Sequence, residues 1–271
     1  MNVCTVKDII DCLREWAPEE WAEDFDNPGM TVGSEAAQVK GIYLALDANK
    51  RSVRKAVESH CNLMITHHPL FIANAVKSFV QREVWEDEQT ALFCAQNDVA
   101  LYTAHTNLDC AAGGVNDVLC AKLGWKDSVP VPDIIDGHPG IGRRCVLPEE
   151  MTLAETGKHV MRKLENDGIE IIGDPEKKIH SAFLCGGSGG SFLKEAKTFG
   201  CDVLITGEAK HHERVFALDN DIAIIVAGHY ETEYWVLDAV KDALQKHLNH
   251  LEYDIPIVIE EKQMVTRRLV F

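Results

Sequence analysis

Three apolar runs in this chain have the composition of buried strands, and each is followed by histidine. The runs are residues 64–66, 101–104 and 224–227. In an open α/β sheet, ligands bind beyond the carboxyl ends of the strands, so three strand ends of this kind are expected to meet at one place. Together with two carboxylates that follow, the runs supply six potential metal ligands: His67, His68, His105, Asp109, His229 and Glu233.

Six ligands are more than one catalytic zinc ion uses, because such a site takes about three protein ligands and keeps one position open. The number suits two metal ions that share a bridging carboxylate. Nitrogen and carboxylate ligands without thiolates are typical of zinc, iron, manganese, cobalt and nickel sites. We therefore expect two divalent metal ions per subunit, with iron, zinc and manganese as the main candidates.

The adjacent pair His67 and His68 follows the first run. Neighbouring residues of extended backbone point to opposite sides, so two metal ions can take one imidazole each. Pro69 restricts His68 to extended geometry and stiffens the pair. The alternative is that both residues are polar caps of a strand, but a pair after an apolar run favours metal binding.

His105 and Asp109 follow the second run and are four residues apart. In helical or turn geometry that spacing places them on one face. Asp109 is expected to supply an oxygen ligand; its alternative role as a helix N-cap is weakened by Gly113 and Gly114, which intervene before the next helix. His105 fits three roles equally well: a metal ligand, a partner that orients a ligand, or the acid/base that moves a proton.

His229 and Glu233 open the last long helix, predicted at about residues 231–247, and their spacing directs them the same way. Glu233 in the first turn also suits the helix dipole, and its two oxygens can bridge two cations. The alternative is a surface glutamate beside a capping histidine. Glu231 lies off this face by helical periodicity and is predicted to be solvated.

Two further strings follow predicted strands. The glycine-rich residues 185–191 lead into a helix, so their amides could hold an anion, but a tight β-α turn is at least as good an interpretation. The string matches neither nucleotide-binding glycine motif in its strict form. Residues 206–212 end with two histidines at a helix start, and we expect Lys210 or His212 to reach a substrate pocket.

Strands alternate with helices along the chain, which predicts an α/β fold of mostly parallel β-α units. Residues 124–142 are rich in proline and glycine and are interpreted as a linker between two α/β lobes. For the three runs to meet, the first lobe must be discontinuous. We predict residues 1–125 plus 225–271 as one lobe and 126–224 as the other, with the dinuclear site at strand carboxyl ends near the lobe interface.

The charge balance argues against some partners. With 27 Lys and Arg against 43 Asp and Glu, the formal net charge is −16, and such a surface repels nucleic acid. No apolar run approaches the roughly 18 residues that span a membrane, and the N-terminus lacks a signal peptide pattern. The nine cysteines are scattered without a Cys-x-x-Cys string, which indicates packing thiols in a reducing cytoplasm.

Several strings together resemble one family, the Nif-three-like proteins, also called GTP cyclohydrolase 1 type 2 homologues. The strings lie at residues 26–33, 44–47, 66–70, 105–109, 142–143, 185–190, 206–208 and 228–233. The resemblance implies a toroidal homohexamer of two-lobed subunits with dinuclear metal sites. It also implies that His68 and Asp109 hold one metal ion, that His67 and His229 hold the other, and that Glu233 holds both.

The resemblance implies a metal-dependent hydrolase of the GTP cyclohydrolase 1 type 2 kind, in which two divalent ions activate water. Its substrate would be a small molecule such as a nucleotide, and a phosphoester bond is chemically as reasonable. His105 would then be the catalytic residue that moves a proton. The alternative function is non-enzymatic, as a metal-binding protein or a regulatory protein that interacts with a partner.

Overall fold

The computed structural model describes residues 3–72, 85–132, 137–263 and 265. Helices and strands alternate along most of these residues. Up to residue 122 the elements are α1 (Val6–Trp16), β1 (Gly29–Val32), β2 (Ile42–Ala45), α2 (Lys50–Glu58), β3 (Leu63–Thr66), α3 (Asp87–Gln96), β4 (Ala100–Thr103), α4 (Thr106–Cys110) and α5 (Val115–Lys122). The later elements are β5 (Lys126–Val131), β6 (Gly142–Thr152), α6 (Leu153–Lys163), β7 (Glu170–Ile172), β8 (Lys178–Cys185), α7 (Leu193–Thr198), β9 (Val203–Thr206), α8 (His211–Asp219), β10 (Ala223–Val226), α9 (His229–Glu233), α10 (Val236–His250) and β11 (Ile257–Ile259).

The residues that lie close together in space form two compact units. The first unit comprises Met1–Leu108 and Leu237–Glu261, and the second comprises Asp109–Val236 and Lys262–Phe271. Each unit contains one β-sheet with its helices. The expected α/β class is therefore confirmed as a mixed α/β fold with two sheets.

The sheet of the first unit has the strand order β1-β4-β3-β2-β11. Strands β11, β2, β3 and β4 are parallel, and β1 pairs with β4 in the antiparallel sense. In the parallel register Ala45 pairs with Thr66, and Thr66 pairs with Thr103. The carboxyl ends of these three strands are thus level, so the residues that follow each strand emerge side by side at one edge of the sheet.

The sheet of the second unit has the order β5-β6-β8-β9-β10-β7. Its centre, β8-β9-β10, is parallel, with Cys185 paired to Thr206 and Thr206 paired to Val226. The prediction of mostly parallel units is wrong for the rest of this sheet, because β5, β6 and β7 pair in the antiparallel sense. As in the first unit, three parallel strands end level at one edge.

Residues in the centre of the second sheet alternate between two hydrophobic clusters. On β9, Val203 and Ile205 belong to one cluster while Leu204 belongs to the other. Successive side chains of a strand point to opposite faces, so both faces of this sheet are covered. This burial explains why β9, β10 and the second half of β8 appear in the sequence as apolar runs rather than as alternating patterns.

The interpretation of residues 124–142 as a linker is wrong in part, because β5 lies within them. This strand contains Pro130 and pairs only with β6, at the edge of the sheet. Proline lacks a backbone N–H and is tolerated in edge strands, where one side makes no ladder hydrogen bonds. Residues 133–136 of the predicted linker lie outside the described residues.

Two predicted helices differ from the structure at their ends. The helix predicted at residues 83–96 is α3, Asp87–Gln96, and residues 83 and 84 lie outside the described part of the chain. The helix predicted at 231–247 is two helices, α9 and α10. Within the described ranges, every helix is too short or too polar to span a membrane. The nine cysteines, all of them described, form no disulfide, and all but Cys12 are buried.

Candidate metal site

Three histidines of the first unit form a compact cluster at the level edge of its sheet. His67 and His68 follow β3 directly, and His105 follows β4. The ring centroid of His67 lies 5.0 Å from that of His68 and 5.2 Å from that of His105, and the His68 and His105 centroids are 5.6 Å apart. One ring nitrogen of each lies within 4.8 Å of the others, an arrangement that could hold a metal ion.

The Nδ1 atom of each of these three rings faces an oxygen acceptor. In chain order the acceptors are the carbonyl of Ala104 at 2.9 Å, the carboxylate of Asp47 at 2.8 Å and the carboxylate of Asp26 at 2.7 Å. An acceptor at Nδ1 fixes the proton on that nitrogen and leaves Nε2 as the atom with the lone pair. Metal-binding histidines in proteins are held by outer acceptors in this manner.

The side chain of Asp26 has no solvent exposure, whereas that of Asp47 is 49% exposed. Burial by itself would raise the pKa of Asp26, but hydrogen bonds from His105 and Thr106 outweigh burial and lower it to about 2. Thr106 donates through both its backbone N–H, at 3.1 Å, and its hydroxyl. Asp26 is thus ionised at neutral pH and holds the proton on His105 Nδ1.

Asp47 reaches His68 because of the register of the sheet. Asp47, His68 and His105 each stand two residues beyond the level residues Ala45, Thr66 and Thr103. The Ser52 hydroxyl at the start of α2 donates to the Asp47 carbonyl at 2.6 Å, which anchors the turn that carries the carboxylate. The strand β2 therefore contributes to the cluster although no histidine follows it.

In the second unit, His229 and Glu233 lie on one face of α9, as their spacing predicts. His229 Nε2 is 3.2 Å from Glu233 Oε2, and His229 Nδ1 is 3.1 Å from Glu208 Oε1. The Glu233 side chain is 5% exposed. A hydrogen bond from the Ser188 hydroxyl, with a further contribution from His229, lowers the pKa of Glu208. His229 therefore has the same carboxylate support at Nδ1 as His68 and His105.

The three supporting carboxylates, Asp26, Asp47 and Glu208, were not predicted from the sequence. Each was visible in a string that carries the family resemblance, but none stands next to a histidine in the sequence. The carboxylates that follow β2 and β9 could have been found by applying the strand-end rule to every predicted parallel strand. Asp26 follows no strand, so that rule could not identify it.

The glycine-rich string after β8 forms a β-α turn. The amides of Gly186, Gly187 and Gly189 donate to the side chains of Asn116 at 2.8 Å, Thr232 at 3.0 Å and Thr206 at 2.9 Å. These donors are satisfied by the same unit, which favours the turn over an anion-binding loop. The turn instead packs the chain closely against α9.

Gly187 is required by space as well as by backbone conformation. Its φ is +57°, and a Cβ at this position would lie 2.2 Å from Glu233 Oε1 and 3.0 Å from His229 Nε2. No side chain fits there unless the carboxylate of Glu233 moves. The turn therefore leaves room for the two candidate ligands.

We expect Gly187→Ala to lose metal binding, because its Cβ would displace the Glu233 carboxylate. Gly200→Ala is a matched control, since Gly200 has φ +70° and a Cβ at this position would meet nothing within 4 Å. Both variants should lose about 1 kcal/mol of unfolding free energy, because alanine is disfavoured in the left-handed backbone conformation. Denaturant unfolding would check this loss. Only Gly187→Ala should lose bound metal by elemental analysis, and equal metal content in the two variants would contradict this steric role.

Asp109, the remaining predicted ligand, lies on α4 and is partly exposed. Burial raises the pKa of the Cys185 thiol, and the carboxylates of Asp109 and Glu233 raise it further, so both carboxylates lie within electrostatic range of that thiol. Lys210 and His212 are exposed at the start of α8. There the backbone N–H of Lys210 is held by the side chain of Glu213.

The prediction of a solvated Glu231 is wrong, because this residue is 8% exposed. The four residues of α9 that follow His229 are all buried. Helical periodicity separates a buried face from a solvated face only where one side of the helix meets water. For α9 the assumption behind the prediction does not hold.

The family of this chain is shown by its similarity to known proteins. A sequence model of the Duf34/NIF3 (NGG1p interacting factor 3) family matches residues 4–264. The chain belongs to the Duf34/NIF3 family. A Clostridium acetobutylicum relative named GTP cyclohydrolase 1 type 2 homolog is 32% identical over 261 residues, which are 96% of each chain. The family resemblance expected from the sequence is thus confirmed.

Solved structures of two relatives have the same fold. A Staphylococcus aureus hypothetical protein has a TM-score of 0.90 with 24% identity, covering 99% of this chain and 100% of that chain. A Bacillus cereus protein related to NIF3 has a TM-score of 0.89 with 21% identity, and the match covers both chains fully. At these identities the likeness establishes the fold alone.

Proposed function

We propose that this member of the Duf34/NIF3 family is a metal-dependent hydrolase of the GTP cyclohydrolase 1 type 2 kind. The observation that carries the proposal is the support of four imidazoles, those of His67, His68, His105 and His229, by oxygen acceptors at Nδ1. Three of these acceptors are carboxylates, the outer partners expected of metal-binding histidines. The names of the relatives support the choice of reaction class.

The donor set fits two divalent ions that prefer nitrogen and carboxylate oxygen. The proposed ligands, as the family resemblance implies, are His68 and Asp109 for one ion, His67 and His229 for the other, and Glu233 for both. Support comes from the family resemblance and from the close approach of His229 to Glu233. The ions when bound would polarise the substrate and lower the pKa of a water molecule.

In this proposal His105 moves the proton. Asp26 holds a proton on His105 Nδ1, so the ring can accept a second proton only at Nε2. The resulting imidazolium would be stabilised by the ionised Asp26 carboxylate, which has a pKa of about 2. A histidine held in this way can take a proton from attacking water and return it to the leaving atom.

A non-enzymatic metal-binding function is the second candidate. One observation favours it: a nitrogen of His105 lies within 4.8 Å of ligand atoms of both His67 and His68. If His105 were a third imidazole ligand, it would fill a coordination position that a hydrolase keeps open for water or substrate. The role of His105 therefore separates the two functions.

The test starts from protein purified without oxygen, with metal content determined by elemental analysis. The loaded protein is then assayed with nucleotides and with generic phosphoesters. We expect His105→Asn to retain the metal content of the unchanged protein and to lose turnover by about 100-fold or more, the contribution of a general acid/base. Loss of metal in His105→Asn would identify a ligand, and absence of turnover in the loaded protein would favour the second function.

A further inference from the structure

A cavity of about 330 Å³ opens in the second unit beside His229. Apolar parts of its wall come from Ala209, Val226 and the buried Tyr230. Binding pockets for small molecules measure about 300–1,000 Å³, so this cavity lies at the small end of that range and suits one planar ring system. Its lining also contains four charged residues, Glu170, Glu208, Arg214 and Glu231.

Three of the four charged side chains form ion pairs or hydrogen bonds with other residues of the protein. The guanidinium of Arg214 binds Glu170 and, through Nε, the carbonyl of Ala209 at 3.1 Å. Glu208 accepts from the Ser188 hydroxyl at 2.6 Å and contacts His229. These contacts leave Glu231 as the remaining charged group of the lining.

Glu231 is 8% exposed, yet no hydrogen bond or ion pair reaches its carboxylate from the described residues. The carboxylate lies over Gly228, where a Cβ would come within 2.1 Å of Oε2. Ionised carboxylates only accept hydrogen bonds, and burying one without a donor costs free energy. Because Glu231 lines the cavity and its carboxylate receives no donor from these residues, a ligand bound there can donate hydrogen bonds to it.

We propose that Glu231 is the recognition group of a binding subsite for a planar ligand group with two adjacent N–H donors. Two parallel N–H groups match the two oxygens of a carboxylate. Amidines have this arrangement, as does the edge of a guanine ring formed by N1–H and the 2-amino group. The subsite rests on the proposed function in one respect, since His229 borders it and is also a proposed metal ligand.

Guanosine and inosine form a matched pair of probes, because inosine lacks only the 2-amino group. Their binding is measured by calorimetry to the unchanged protein, to Glu231→Gln, and to Glu176→Gln as a control. Glu176 is exposed and lies outside the cavity lining. We expect the unchanged protein and the control to prefer guanosine by about 10-fold or more, as for a hydrogen bond to a charged group.

Glu231→Gln should bind the two nucleosides with nearly equal affinity, and its retained inosine binding would show that the cavity is intact. Equal binding of both probes by the unchanged protein would overturn the subsite. A guanosine preference that survives in Glu231→Gln, or no binding of either probe at millimolar concentration, would overturn it as well.

All titrations are repeated on protein treated with a chelator. A preference for guanosine that depends on Glu231, found in protein that neither binds metal nor turns over any substrate, would contradict the proposed function alone. A metal-loaded and active protein without this preference would contradict the subsite alone.

Discussion

Glu233→Ala is expected to reduce bound metal from two ions per subunit to less than one and to abolish turnover. The proposed centre uses this carboxylate for both ions, so its removal weakens both positions at once. Loss of an outer partner of a metal site by itself costs about 10- to 100-fold in affinity, so loss of a shared ligand should cost at least about 100-fold.

The packing around Glu233 leaves little room for another group to replace its carboxylate. Its side chain is 5% exposed and lies against His229 and the Gly187 turn, so solvent cannot supply an equivalent group without a change in packing. Elemental analysis after anaerobic purification and metal titration of the apoprotein measure the effect. Glu58→Ala, which removes an exposed carboxylate of α2, is the control and should keep full metal content. Two retained ions in Glu233→Ala would refute the bridging role.

The positions of the three histidines of the first unit were predictable because parallel strands impose a register. Once β3 and β4 are parallel neighbours, His68 and His105 must lie level beyond their ends. The side chains that orient them were harder to predict. Asp26 and His105 are 79 residues apart in the chain, and no local pattern relates them.

The wrong predictions for the second unit have physical causes of their own. Pro130 suggested a linker, but an edge strand accommodates proline as readily as a loop does. Glu231 was predicted to be solvated from a periodicity that holds only for a helix with a wet side. The division of the ligands between two ions and the division of the chain into lobes stay predictions.

Arg143 is a residue of β6 whose full burial the sequence did not indicate. It is 1% exposed and makes an ion pair with Asp117, with Nε 2.8 Å from Oδ1. Its Nη2 donates to the carbonyls of Cys110 at 2.8 Å and Ala111 at 3.0 Å, and its Nη1 donates to the carbonyl of Gly140 at 2.7 Å. One side chain thus fixes the chain that directly follows the candidate ligand Asp109.

We expect Arg143→Met to lower the free energy of unfolding by about 3–5 kcal/mol, the range for breaking a buried ion pair from one side. The change leaves Asp117 without the cation that pairs with it and removes the donors to the carbonyls of Cys110, Ala111, Gly140 and Gly142. Arg144→Met is the matched control, because Arg144 is the next residue of the same strand and is only partly buried. Denaturant unfolding measures both, and equal losses in the two variants would contradict a special role for Arg143.

A double variant separates the ion pair from the carbonyl contacts. Arg143→Met with Asp117→Asn leaves no uncompensated charge, so it should lose less stability than the sum of the two single variants. The carbonyls of Cys110 and Ala111 still lack their donor in the double variant, so metal binding through Asp109 should stay weakened. Recovery of stability without recovery of metal affinity would therefore show that Arg143 positions the ligand as well as stabilising the fold, whereas recovery of both would restrict its role to charge compensation.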